Sequence, residues 1–393
     1  MTRNIRVFLV TEAILAACGG FILPIYVLYF RCYQITLFQV ALLAAVFEAT
    51  VLIGEIPTGL FADRYGRKLS VFISFVLYAA SGVVFITVRD LTGFIAGEIL
   101  FGLAEAFVSG AAEALAVDSI PEPERAARLP LLYTWRSRVR IGLTVLFMSA
   151  AGYLFAHNVS IAFYPIAIGG VVGAIVSLFS ISDKQQTSSG DAPRFLAPIG
   201  IMFRQLKLLA VLRTIFVISL VANFSYEGAD QYWQVLGSEL SGMNVSHFGL
   251  ITAAGAIIAF FLVGPVVRRF SGNIGLPLII LLAVGVIISS LPNLPPAFLP
   301  YLLVIYFACR QITPPVFSVA INREIGSSGR ATVLSGYNLV CSMGEVGSGL
   351  LVGVIASRLG VPVVFVVCGA VLVLFVVGSL FFVSGLLGHR RKA

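Results

Sequence analysis

Apolar residues run along this chain in long blocks separated by short polar breaks. The first block follows Arg3 and Arg6 and continues through Phe30; others lie near residues 36–58, 69–88, 92–117, 131–156, 159–181, 208–236, 245–267, 273–292, 298–321, 330–357 and 361–386. Each is close to the roughly 20 residues that a helix needs to cross a bilayer. In lipid, backbone groups must be satisfied within the segment itself, so blocks of this kind form helices. The pattern therefore predicts an all-α integral membrane protein with twelve transmembrane helices. The longest polar stretch, Ser182 to Arg194, is rich in Ser and Gln and sits mid-chain, as a flexible linker would. After it, Arg204, Lys207 and Arg213 alternate with apolar residues, the pattern of a basic helix lying on the inner leaflet. The expected organisation is a six-helix half over 1–181, a cytoplasmic linker with an amphipathic segment over 182–207, and a second six-helix half over 208–393.

The N-terminal run ending Leu15-Ala16-Ala17-Cys18 imitates a lipoprotein signal. Glu12 interrupts its apolar region, however, and apolar character continues past Cys18, so a first span is expected instead.

Composition agrees with the blocks. With 59% hydrophobic and 11% charged residues, the chain has too few polar groups to clothe a water-soluble globule of its length. The net charge of +8 raises the prospect of an acidic partner such as nucleic acid, but its placement argues for topology. Taking the first residues as inside, 19 of the 26 Lys and Arg fall in inner segments and three in outer loops. That bias puts both termini in the cytoplasm, and no nucleic-acid partner is expected. The five cysteines are scattered through apolar runs without a C-x-x-C pair, so neither a zinc site nor a disulfide framework is indicated.

One polar break stands apart. Residues 59–68 read GLFADRYGRK, a ten-residue island between two spans. It is expected to be a tight surface loop, with Gly59 and Gly66 allowing the turns and Arg64, Arg67 and Lys68 facing headgroups on the cytoplasmic side. A basic hairpin would account for the charges, but not for Asp63 or the Gly spacing. The decapeptide resembles the signature loop of the major facilitator superfamily, G-x-L-a-D-r-x-G-r-K, between the second and third spans. Gly59, Asp63, Arg64, Gly66, Arg67 and Lys68 match it, and Phe61 replaces the usual Leu. A weaker echo, GPVVRRFSG from Gly264 to Gly272, occupies the same place in the second half but lacks the Asp. The resemblance implies two pseudo-symmetric six-helix halves and a conformational switch at this loop. It also implies that Asp63 lies against the start of span eleven, near Ser328 to Thr332, in one of the states.

Charged groups in hydrocarbon are costly and should face the bundle interior. The acids inside spans are Glu12, Glu48, Glu55, Glu98, Glu105, Glu113, Glu227, Asp230 and Glu345; the bases are Arg136, Arg138, Arg140 and Arg310. By depth along a helix, Glu48, Glu105 and Arg310 fall near the midplane and are the first candidates for proton or substrate. Glu98, Glu105 and Glu113 recur at seven and eight residues, on roughly one helical face. Glu98 and Glu113 are expected to pair structurally with Arg136 or Arg140. In span seven, Glu227, Asp230, Gln231 and Gln234 form a single polar stripe, and Tyr226 and Trp233 either offer faces to a cation or flat ring or belong to an interfacial belt. Arg310 is either an anion site or the partner of a buried acid, with Glu345 as the acid. Gly344, Gly347, Gly349 and Gly353 supply small packing surfaces.

The resemblance implies a secondary active transporter with a small-molecule substrate, no cofactor, a proton gradient as driving force, and residence as a monomer in a bacterial inner membrane. The family's drug antiporters usually carry an Arg pattern in span four, where this chain has Glu98, and a Gly-Pro motif in span five, which it lacks. Excess acid among Phe and Tyr nevertheless favours proton-coupled export of lipophilic or cationic molecules. Two alternatives stay open: proton-coupled uptake of an organic anion at Arg310, and a non-transporting sensor or scaffold. No nucleophile-base pair, metal cluster or phosphate loop suggests an enzyme.

Overall fold

The computed structural model describes residues 3–180, 210–270, 275–324 and 330–390. Thirteen α-helices follow one another among them. They are α1 (Arg3–Ile22), α2 (Tyr26–Cys32), α3 (Leu37–Tyr65), α4 (Arg67–Thr87), α5 (Leu91–Asp118), α6 (Glu122–His157), α7 (Tyr164–Ser180), α8 (Ala210–Val235), α9 (Phe248–Phe270), α10 (Gly275–Ser290), α11 (Leu299–Glu324), α12 (Arg330–Leu359) and α13 (Val361–Arg390). The short turn at 23–25 divides the first span into α1 and α2, so the thirteen helices make twelve rods. Among the described residues, nine segments combine full length and high apolarity. The other three rods are α10, which is short, and α8 and α11, whose spans hold Glu227, Asp230 and Arg310.

The chain divides into two compact units: one holds residues 1–190 with 244–253, the other 191–243 with 254–393. The expected linker over 182–207 and its amphipathic segment lie outside the described residues.

Helix starts follow local chemistry. Thr36 caps α3 in a reciprocal capping box: its Oγ1 accepts from the Gln39 amide at 3.3 Å, and the Thr36 amide donates to Gln39 Oε1 at 2.9 Å. Asp90 caps α5 by accepting from the Gly93 amide at 2.7 Å. Asn158 and Asn244 serve the same purpose, since each accepts from the amide two residues on, at 3.0 and 2.9 Å.

The two units use corresponding packing. In the first, α1 packs on α6 and α4 on α7; in the second, α8 packs on α12 and α10 on α13. Counted as spans, both units join their first to their fifth and their third to their sixth. Close approach at the third-to-sixth contacts needs small residues. A Cβ added to Gly170 of α7 would lie 2.2 Å from the Ala79 nitrogen of α4, and one on Gly369 of α13 would lie 2.5 Å from the Gly285 carbonyl oxygen of α10. In the expected glycine face of α12, Gly344 meets the Leu220 carbonyl, whereas Gly347 faces open space.

The signature decapeptide is not the ten-residue loop expected from its polarity. α3 continues through Asp63 to Tyr65, Gly66 is the single break, and α4 begins at Arg67. Gly66 adopts φ 101 and ψ 142, a conformation that side chains resist. Gly59 is helical, so it provides no turn. The hydropathy change marks where the chain leaves apolar surroundings, not where the helix ends.

Candidate functional site

Each unit carries its own charged constellation. In the first, Arg136 of α6 ties three helices together. Its Nε donates to Glu12 Oε1 of α1 at 2.9 Å, and its Nη1 donates to Glu113 Oε2 of α5 at 2.9 Å. The Tyr133 hydroxyl donates to the other Glu113 oxygen at 2.7 Å, and Arg140 lies 3.6 Å from Glu12 Oε2. Glu12 is buried at 5% exposure, which a carboxylate tolerates here because two guanidiniums face it. The expected Glu113–Arg136 pair is present. Glu12, counted among the acids but given no role from sequence, is the hub that was missed.

Glu98 does not pair with Arg136 or Arg140. It is 1% exposed, and its Oε1 accepts from the Tyr26 hydroxyl of α2 at 2.7 Å. Arg136 is instead engaged by Glu12 and by Glu113, fifteen residues further along α5, and Arg140 by Glu12. Glu105 is half-buried and faces the Tyr78 hydroxyl of α4, with the charges of Arg140 and Glu12 acting on it. Glu48 of α3 is half-buried and its charge acts on Glu98. The three acids of α5 thus find three different surroundings.

At the end of this unit, Arg67 forms an ion pair with Asp118, the last residue of α5. Asp63 and Arg64 are exposed and Lys68 is half-exposed. The contact expected between Asp63 and residues 328–332 lies outside the described residues.

The second constellation centres on Arg310 of α11. Its Nε lies 3.2 Å from Asp230 Oδ2 of α8 and its Nη2 3.4 Å from Glu345 Oε1 of α12. The Tyr306 hydroxyl donates to Asp230 Oδ1 at 2.6 Å. The guanidinium lies over the Tyr226 ring, 4.4 Å from its centroid. Tyr226 therefore does offer a face to a cation, and that cation is Arg310. Trp233 packs edge-on against Phe307 at 5.2 Å. Both aromatics are 2% exposed, which excludes the interfacial belt. The polar stripe of α8 turns inward: Gln231 Nε2 donates to Glu227 Oε1 at 2.5 Å, and Gln231 and Gln234 are buried. Pairing of Arg310 with Glu345 follows the sequence expectation, while the second carboxylate, Asp230, was read as part of the α8 stripe alone.

Among the described residues, no group of three His, Cys, Asp or Glu side chains converges to hold a metal ion.

Two six-span units whose ionisable groups pair between helices make a polytopic membrane protein. The chain belongs to the Major Facilitator Superfamily, whose family model matches residues 8–348, and it is a multi-pass membrane transporter. It is 26% identical over 382 residues to the uncharacterized MFS-type transporter YxaM of Bacillus subtilis (strain 168), covering 94% of this chain and 93% of that one. It is 20% identical over 315 residues to Multidrug resistance protein 2 of the same organism, covering 78% and 76%. Its fold is similar to the crystal structure of the nucleoside transporter NupG, with a TM-score of 0.75 at 13% identity, covering 97% of this chain and 98% of that one.

Proposed function

We propose that this transporter works by alternating access as a proton-coupled exporter of small lipophilic or cationic organic molecules. It acts as a monomer in a bacterial plasma membrane, with both termini cytoplasmic and a proton gradient, not a bound cofactor, as driving force. The reading rests on one observation. Arg310, the basic residue on which an anion site was expected, is already answered by Asp230 and Glu345 and covered by the Tyr226 ring. A guanidinium with its Nε and Nη2 on carboxylates and one face on a ring has less left for a substrate carboxylate. What surrounds it is acidic and aromatic, with Asp230 and Glu345 against one arginine and Tyr226 and Tyr306 beside them, and this suits protons and cations. Similarity to Multidrug resistance protein 2 supports the same direction.

The test is proton release by the purified protein in detergent on adding ethidium, a lipophilic cation, or benzoate, a small organic anion. Release on ethidium, lost in Glu105→Gln, supports export by exchange. Proton uptake on benzoate alone, lost in Arg310→Ala, would replace it with anion symport.

A further inference from the structure

Among the described residues, Glu98 is an acid without an ion pair. It lies on α5 two turns beyond its cap, 1% exposed, with the Tyr26 hydroxyl at 2.7 Å as its hydrogen-bond donor. Four arginines of the unit are engaged elsewhere. Arg136 and Arg140 hold Glu12, Arg89 lies over the Tyr33 ring at 5.3 Å, and Arg31 donates to the Ile35 carbonyl at 3.2 Å. From α3 comes Glu48, a like charge. From α4 come Phe85, packed against Gly97, and Ser81, whose hydroxyl donates to the Gly97 carbonyl at 3.1 Å. From α1, Glu12 acts on Glu105 instead. On α2, Tyr26 meets Phe30 edge-on at 4.9 Å, which holds its hydroxyl toward Glu98.

An ionised carboxylate in such packing needs a positive partner, and a single neutral hydroxyl beside another acid does not supply one. A carboxylic acid fits the same place: one oxygen accepts from Tyr26 while the other carries a proton. Tyr26 is half-buried, so the hydroxyl that holds Glu98 belongs to a side chain that reaches the molecular surface.

We propose that Glu98 is a second proton-carrying residue of the first unit, beside Glu105. In the conformation described it is neutral, with its proton on Oε2. When the packing around it opens, the Oε2–H bond breaks and the proton passes to water, leaving a carboxylate held by Tyr26 and repelled by Glu48. This role deepens the exchange reading and rests on it; the neutral state does not.

Two measurements on the full-length protein separate these. The first is the infrared difference spectrum between wild type and Glu98→Gln in detergent at neutral pH. A protonated-carboxyl stretch in wild type, absent in Glu98→Gln and shifted in Tyr26→Phe, is expected; a carboxylate band in its place overturns the proposal. Tyr26→Phe keeps the ring, so it reports even where Glu98→Gln fails to fold. The second is ethidium movement in proteoliposomes. Accumulation driven by an imposed pH gradient is expected to fall about tenfold or more relative to ethidium exchange in Glu98→Gln, with partial return in Glu98→Asp. Full gradient-driven accumulation by Glu98→Gln overturns the carrying role. A wild type that shows the band yet ignores ethidium overturns the export reading and supports the neutral Glu98.

Discussion

Arg136 reaches from α6 to Glu12 on α1 across 124 residues of sequence, closing an Nε to Oε1 contact of 2.9 Å. Glu12 side-chain exposure is 6% and that of Arg136 is 26%. Removing Arg136 leaves the buried carboxylate with only Arg140, 3.6 Å away, whereas removing both partners leaves no buried charge there. Arg136→Gln is therefore expected to cost on the order of 3 kcal/mol, the low end for a broken buried pair because the arginine keeps some solvent. Glu12→Gln with Arg136→Gln together should recover much of the loss. Thermal unfolding in detergent measures both, and Arg128→Gln, which breaks an exposed pair with Glu124, is the control expected to change little. Equal loss in the single and double variants would show that the pair carries no coupling.

The Arg310–Tyr226 contact gives a second expectation. The ring face, 4.4 Å from the guanidinium, is what stabilises the cation on the side that the carboxylates leave open. Tyr226→Phe keeps that face and should leave stability and ethidium transport near wild type. Tyr226→Leu removes it and should lose about 1–2 kcal/mol in thermal unfolding. Arg310→Lys is expected to be poor at transport, because a point charge cannot engage Asp230 and Glu345 as a planar fork does. Equal behaviour of the Phe and Leu variants would remove the cation–π account.

The blocks of apolar residues made the twelve-rod plan readable, because spanning length is set by the bilayer and not by tertiary detail. Pairs on adjacent spans at one depth, Glu113 with Arg136 and Arg310 with Glu345, were readable for the same reason. Glu12 and Tyr26 were not. Their partners lie on helices remote in sequence, and only the packing of α1 on α6 and of α2 beside α5 brings them together. A phenol inside an apolar block needs a hydrogen-bond partner, and that was the one available signal for Tyr26. At the signature segment, polarity was read as loop, although Ala62, Arg64 and their neighbours continue α3 to Tyr65.

At the end of that segment, Arg67 and Asp118 form their ion pair with side-chain exposures of 28% and 41%. Water and salt screen a pair this open, so it contributes at most about 1 kcal/mol to stability. Asp118→Asn should accordingly melt close to wild type. If the family's switch operates here, the same variant should slow ethidium transport severalfold, since an interaction of about 1 kcal/mol is enough to shift a balanced two-state equilibrium about fivefold. Transport rate and melting temperature measured on one preparation decide it. A drop in both would make the pair structural.

Gly59 and Gly66 carry the same signature yet differ physically. An alanine at Gly66 must adopt φ near 101 with ψ near 142, a region essentially reserved for glycine, at a cost of about 1–3 kcal/mol. Among the described residues, no neighbouring atom lies within 4 Å of a Cβ built at Gly59, and alanine there improves helix propensity by close to 1 kcal/mol. Gly66→Ala is expected to lower both folded yield and melting temperature, and Gly59→Ala to hold or raise them. Should Gly59→Ala stay fully folded but transport poorly, the space it fills is used by another state of the cycle. Full stability and transport in Gly66→Ala would mean that the α3–α4 junction can re-form without a left-handed residue, and the strain argument would fail.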